Sequence, residues 1–506
     1  MRSENEFLRA VEQQVREHPQ APAHKAPNGL TTTYAELWEA SDRIAAALAA
    51  RTEKRQPAVV LGHKSACMVA GFLGCLKSGH AFVPVDTEMP LTRLADILSQ
   101  LGEALVVVAE DMPDALACAL PESDVLDARA AVAAAGSPFV VPDRASWVTG
   151  DETQYLIFTS GSTGRPKGIE VGADNVARFM DWVCTFPVIR EGGRVFLDQP
   201  PYSFDLSEYE VVGALATGGC LHAVEREEAE DLRALFADLR DSGVEVWTST
   251  PSFADLCLAD RSFDEALLPD VRLFLFCGEA LRRSTAAALR ERFPRARIAN
   301  TYGPTESTVA VTYVEIGDSE LVDERPLPVG RPRPGTELRI VDPETGDPVP
   351  DGEMGELVLT PLGKQAIPVL RYRTHDLTRV VTEPCACGRT TARMQKVRAR
   401  SDDMLIIRGT NVFPSQVEDV LAGIDGVTPH YRIVVESAGG LDRMTVHVEL
   451  KPEAFSDSYE DMENLRRSIE DKLKGVLLVG VKAKLVEPGG IERSTGKTKH
   501  VEDLRK

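Results

Sequence analysis

Thr159-Ser160-Gly161-Ser162-Thr163-Gly164-Arg165-Pro166-Lys167-Gly168 gathers four hydroxyls, three glycines and a lysine within ten residues. Glycine lets backbone N–H groups turn toward an anion, the hydroxyls add donors without bulk, and Lys167 supplies positive charge. That is the chemistry of a polyphosphate cradle. The order differs from G-x-x-x-x-G-K-[ST], because Gly168 stands where a Ser or Thr would follow the lysine. An apolar run, Tyr155 to Phe158, leads into the loop and reads as a buried strand.

The elements around this loop alternate. Thr33 and Glu36 make a capping box for a helix running to Ala50, with Leu37, Ile44 and Leu48 on one face. Strands are expected at 58–61, 81–85 and 105–108, with helices at 68–76 and 91–101 between them. After the loop the pattern resumes with strands at 195–197, 244–247 and 273–276, and helices from about Ser207, Pro251 and Ser284. Short apolar strands alternating with helices predict a doubly wound α/β fold, here as two such units in tandem. Pro and Gly then recur between short strands at 337–341 and 356–359, predicting a small β-subdomain within about 315–400. Beyond Ser401 the order is β-α-β-β-α-β, a small α+β domain, with Ser415 to Glu418 capping its first helix. The expected organisation is a large domain, 1–401, and a small one, 402–506.

Bulk properties bound the function. A chain of 506 residues exceeds one core. A net charge of −21 argues against a nucleic-acid or anionic-membrane surface, so a phosphate site must be local. The opening segment lacks an apolar core of signal-peptide length, and no run of about 18 apolar residues would span a membrane. Nine scattered cysteines suit a reducing cytosol. The expectation is a cytoplasmic protein without membrane insertion.

Three further motifs accompany the loop: Asn300-Thr301-Tyr302-Gly303-Pro304-Thr305-Glu306, Tyr372-Arg373-Thr374-His375-Asp376, and Glu492-Arg493-Ser494-Thr495-Gly496-Lys497. Together with 159–168 they resemble the acyl-adenylate-forming superfamily, which couples a carboxylic acid to ATP and then to a thiol. The resemblance implies that Thr159 to Gly164 and Lys167 hold phosphates, and that Asn300 to Thr305 lie along the nucleotide. It makes Glu306 the holder of Mg²⁺ bridging the phosphates, a role suited to a hard carboxylate oxygen. Gly278-Glu279-Ala280 matches the segment against adenine. Asp376 matches the acceptor of both ribose hydroxyls and Arg400 a second ribose contact, with His375 replacing the more usual Gly. Lys497 matches the catalytic lysine between the substrate carboxylate and the α-phosphate, and Asp402 the hinge of a rotating small domain. Gly409 and Thr410 lie where the face presented after rotation should form.

Pro201-Tyr202-Ser203-Phe204-Asp205-Leu206-Ser207 bears on the acid. It resembles the amino-acid-activating branch, in which the position of Asp205 pairs with an α-ammonium. An N-cap of the next helix would also use Asp or Ser, and both can hold, with Ser207 as the cap. Residues 1 to about 357 resemble the family of D-alanine–D-alanyl carrier protein ligases, densely at 246–253, 274–279 and 303–311. There the counterparts of Cys277 and Val309 line a small pocket suited to alanine. From about Leu362 the chain is similar to phenylacetate–CoA ligases instead, at 367–374, 400–414 and 487–490.

The resemblance therefore implies adenylation of a small amino acid, alanine and preferentially its D form, then transfer to the phosphopantetheine thiol of a carrier protein. One alternative is an acyl- or aryl-CoA ligase with coenzyme A as acceptor; another is a non-catalytic nucleotide-binding regulator. Two local features stay apart from this scheme. Cys385 and Cys387 form a C-x-C pair with no second pair nearby, read as a tight turn rather than a zinc site. Arg389, Arg393, Lys396, Arg398 and Arg400 form a basic run that either steers ATP or an acidic carrier or is a solvated face.

Overall fold

The apolar runs become the middle strands of two sheets. A computed structural model describes residues 4–52, 55–111, 125–134, 138–160, 166–226, 231–322, 327–364, 368–382, 393–395, 397, 399–400, 405–407, 410–438, 441–455, 459–477, 479–491 and 500–505. Of these, 1–339, 358–372 and 381–396 belong to one compact unit, and 340–357, 373–380 and 397–506 to another.

In the first unit a six-stranded sheet takes the order Val125–Asp127, Leu105–Val108, Ala58–Gly62, Phe82–Asp86, Thr153–Ser160, Pro166–Gly172. All neighbours are parallel except the last pair, which is antiparallel. Strands buried on both faces need continuous apolar sequence, and Leu105-Val106-Val107-Val108 is buried throughout. The helix Tyr34–Ala49 starts with the expected box: Glu36 N–H donates to Thr33 Oγ1 at 3.3 Å and Thr33 N–H to Glu36 Oε2 at 2.8 Å. Helices Ala66–Lys77 and Leu91–Leu101 also lie where expected.

A nine-stranded sheet follows, with a parallel centre of Arg297–Tyr302, Leu273–Phe276, Val246–Ser249, Val195–Asp198 and Cys220–Ala223. Two strands not anticipated, Pro22–Lys25 and Thr31–Thr33, extend it beyond Cys220–Ala223. The two halves are thus not simply consecutive, since the N-terminal hairpin completes the later sheet. A core of Trp247, Phe263, Phe274 and Phe293 packs edge-on beneath it, with ring centroids 4.9–5.2 Å apart in the T-shaped pairs.

The second unit has its own apolar core around Ile433, Val435, Val446, Val448, Ile469 and Leu473. Its four-stranded sheet runs Val481–Val486, Leu441–Leu450, Val427–Ala438, Val501–Asp503. Helices Pro414–Ala422 and Tyr459–Leu477 supply the expected alternation. The cap of the first helix differs from expectation. Its N-cap is Phe413, whose N–H donates to Gln416 Oε1 at 3.0 Å, and Ser415 falls inside the first turn because Pro414 already starts the helix. No described helix is long and apolar enough to cross a membrane.

Candidate active site

Two parallel strands deliver two of the motifs expected at the nucleotide side by side. Phe276 pairs with Asn300, so Cys277-Gly278-Glu279-Ala280 and Gly303-Pro304-Thr305-Glu306 leave adjacent strands at their carboxyl ends. That is where ligands of open α/β sheets bind. Thr301 Oγ1 donates to Phe276 O at 2.8 Å, tying the strand ends together, and Asn300 Nδ2 donates to Pro328 O at 2.8 Å. Gly278 has φ +87°, a turn that a side chain would strain. Glu279 Oε2 accepts from Ser252 N–H at 3.2 Å, fixing the segment laterally. At Gly303 a Cβ would stand 2.4 Å from Ala310 Cα, so only glycine lets the two backbones approach.

Beyond Thr305–Ser307, a single 3₁₀ turn, Thr308 and Val309 both have positive φ, 68° and 61°. Two consecutive β-branched residues in that region cost about 1–3 kcal/mol each. Ser307 Oγ, Thr308 Oγ1 and Asn300 Oδ1 are buried and have no partner among the described residues. Strain and unpaired oxygens beside Glu306 are what a site awaiting a polar ligand would show.

Lys167 comes from the strand Pro166–Gly172, in register opposite Thr159. Its Nζ lies 3.5 Å from Glu306 Oε1, so the lysine expected at the phosphates and the carboxylate expected to hold Mg²⁺ meet. The strands on either side of the loop, Thr153–Ser160 and Pro166–Gly172, pair antiparallel. Gly161, Ser162, Thr163 and Gly164 lie outside the described residues, as does the Ser160 side chain.

Asp205 opens a 3₁₀ turn, Asp205–Ser207, that runs into the helix Glu208–Ala216. Ser207 does not cap that helix through its side chain: its backbone is already helical, and its hydroxyl donates to Phe204 O at 2.7 Å. Around half-buried Asp205 the neighbours are buried. Burial, and then Asp205, pushes the Glu208 carboxyl up to about 8, so Glu208 is protonated at pH 7. Burial, then Cys277, holds the Tyr209 phenol well above its ordinary range, with Asp205 adding to the effect. Tyr209 thus joins Asp205 and Cys277 in one neighbourhood. Cys277 and Val309 are both buried, 4% and 2% exposed. Glu208 and Tyr209 carry no motif and were not singled out by sequence; only their positions beside Asp205 could have suggested them.

In the second unit, Asp376 is buried on the strand Tyr372–Thr378, and its backbone pairs with that of Arg400. His375 adopts φ 63°, the conformation its more usual Gly would take freely. Glu356 Oε1 holds the turn, accepting from His375 N–H and Arg373 Nε at 3.1 Å each. Lys497, Asp402, Gly409, Cys385 and Cys387 lie outside the described residues, as do the side chains of Arg400 and Thr410. Of the basic run, Arg389, Lys396 and Arg398 also fall outside, with the Arg393 side chain.

No group of three or more His, Cys, Asp or Glu able to enclose a metal occurs among the described residues. Glu306 alone, partly open with its side chain 18% exposed, fits Mg²⁺ held largely by phosphate and water.

Residues 11–362 match the AMP-binding enzyme family, and 409–505 match the AMP-binding enzyme C-terminal domain. The D-alanine–D-alanyl carrier protein ligase of Bacillus licheniformis is 45% identical over 334 residues, 65% of this chain and 64% of that protein. The same ligase of Bacillus velezensis is 40% identical over 361 residues, 70% and 69% of the two chains. The chain thus spans about two thirds of the length of these relatives. Among solved structures, ATP-bound MatB from Rhodopseudomonas palustris has a TM-score of 0.76 at 20% identity, covering 96% of each chain. O-succinylbenzoate coenzyme A synthetase from Bacillus subtilis, in complex with AMP, also reaches 0.76, at 18% identity over 96% and 95%. These two share the fold. Strand-end motifs, the Lys167–Glu306 contact and the match over residues 11–362 agree: the chain belongs to the AMP-binding enzyme family.

Proposed function

We propose that this protein activates D-alanine with ATP and passes the aminoacyl group to the phosphopantetheine thiol of a carrier protein. The observation that carries the reading is that Asp205 lies in the turn starting the helix that sends Tyr209 into the same buried core as Cys277 and Val309. The curated relatives named above act on the same substrate by name.

In the first half-reaction a D-alanine carboxylate oxygen attacks the α-phosphorus of ATP and pyrophosphate leaves. Asp205 pairs with the ammonium and orients the carboxylate; the protonated Glu208 beside it adds no second charge to neutralise. Cys277 and Val309 limit the side chain to a methyl. Thr159 to Gly164 and Lys167 hold the phosphates, and Asn300 to Thr305 with Gly278 to Ala280 flank the nucleoside. Mg²⁺ on Glu306, when bound, neutralises charge on the phosphates. Asp376 and Arg400 take the ribose hydroxyls. Lys497 draws the two anions together and stabilises charge at the α-phosphate. In the second half-reaction the thiol attacks the acyl carbonyl, forming the C–S bond and expelling AMP, after a rotation about Asp402. The scattered cysteines, none in a disulfide among the described residues, suit a cytoplasmic setting.

The phenylacetate–CoA ligase-like segment beyond Leu362 favours coenzyme A as the competing acceptor. Offered both thiols after D-alanine activation, the enzyme is expected to load the phosphopantetheinylated carrier and to leave coenzyme A largely unacylated. Preferential acylation of coenzyme A would replace the first reading with the second. Pyrophosphate exchange driven by neither alanine enantiomer but by an aryl acid would reject the substrate.

A further inference from the structure

Lys364 lies in the turn after the strand Gly355–Pro361, its N–H donating to Pro361 O at 3.1 Å. The side chain is buried, 6% exposed, and Nζ donates to the Glu306 carbonyl at 2.5 Å. An ammonium has three N–H bonds. Among the described residues this carbonyl is its one acceptor, and no carboxylate stands within ion-pair distance. Arg333 is close by and also buried, donating from Nη2 to Ser307 O at 2.9 Å, while Nη1 has no partner among the described residues. Lys167 is the third cation, against the single carboxylate of Glu306.

Among the described residues, Lys364, Arg333 and Lys167, with Arg178 beside Arg333, set a surplus of positive charge against the Glu306 carboxylate. Burying a cation without a counter-charge is costly, so the surplus calls for an anion of high charge density. A prop for the strained turn would need only the carbonyl bond, and an uncharged donor would serve. During adenylation the group that gathers most negative charge is the departing pyrophosphate. We propose that Lys364 binds the β,γ-diphosphate portion of ATP and holds pyrophosphate as it leaves, alongside Lys167. This rests on the adenylation reading above, but adds a residue outside the motifs that suggested it.

The test is binding of AMP, pyrophosphate and α,β-methylene-ATP to the full chain with Mg²⁺ present. Lys364→Met removes both charge and donor, whereas Lys364→Gln keeps a donor for the Glu306 carbonyl and guards against misfolding. Both variants should bind pyrophosphate and α,β-methylene-ATP about 10-fold or more weakly, with AMP affinity within about twofold of wild type. Lys364→Arg should recover most of the loss. Equal weakening of all three ligands by Lys364→Gln would make the residue a prop, and unchanged pyrophosphate affinity would remove it from the site; either overturns the proposal. Absence of D-alanine-dependent exchange in the wild type would instead sink the substrate reading, leaving these affinities to decide Lys364 separately.

Discussion

Replacing Asp205 with Ala is expected to lower D-alanine-dependent ATP–pyrophosphate exchange by about 100-fold or more. Removing one member of a buried charge pair costs about 3–5 kcal/mol, because the other charge loses its partner. Glu208 is the nearest second carboxyl in sequence, and burial with Asp205 keeps it protonated up to about 8. Propionate, which lacks the amine, gives the control: whatever weak exchange it supports should change little in the variant. Parallel loss for D-alanine and propionate would remove Asp205 from ammonium recognition and leave it only a role in the turn that starts the helix Glu208–Ala216.

Lys497→Ala is the second large effect. Bringing a carboxylate against a triphosphate sets two anions together, and charge then shifts toward the leaving pyrophosphate. One well-placed cation in such a step is worth about 10²–10³ in rate. Exchange should therefore become undetectable or nearly so, while the variant, supplied with preformed D-alanyl adenylate, still charges the thiol acceptor. Exchange at wild-type rate would exclude Lys497 from the mechanism. Loss of both half-reactions together would point to damage in the small domain rather than to a missing charge.

Strands were legible where burial on both faces demands unbroken apolar sequence, as in Leu105–Val108 and Leu273–Phe276, which lie where the pattern put them. The helix from Tyr34 was legible because its cap is local, contained within four residues. Pro22–Lys25 and Thr31–Thr33 were not, since they are short and polar and owe their strand state to pairing with Cys220–Ala223 and with each other. Such long-range pairing leaves no local signature. Ser207 and Ser415 misled because a serine near a helix start resembles a cap whether or not the chain has already turned.

The site divides the same way. Lys167 and Glu306 sit in motifs whose composition carries their chemistry, and they meet at 3.5 Å. Lys364 and Arg333 carry no such signal, because a lysine or arginine in a Pro- and Gly-rich stretch usually faces water. Burial alone distinguishes them, and burial is set by the whole fold. His375 shows an intermediate case: its departure from Gly flagged the position, and the structure supplies the reason in a φ of 63°.

The most direct test of the account is a crystal structure of the chain with Mg²⁺ and a non-hydrolysable D-alanyl adenylate analogue. The ammonium is expected within hydrogen-bond distance of the Asp205 carboxylate, the methyl against Cys277 and Val309, and the phosphate mimic beside Thr305 and the 159–168 loop. An analogue lodged away from the carboxyl ends of Leu273–Phe276 and Arg297–Tyr302, with Asp205 contacting no part of it, would contradict the account.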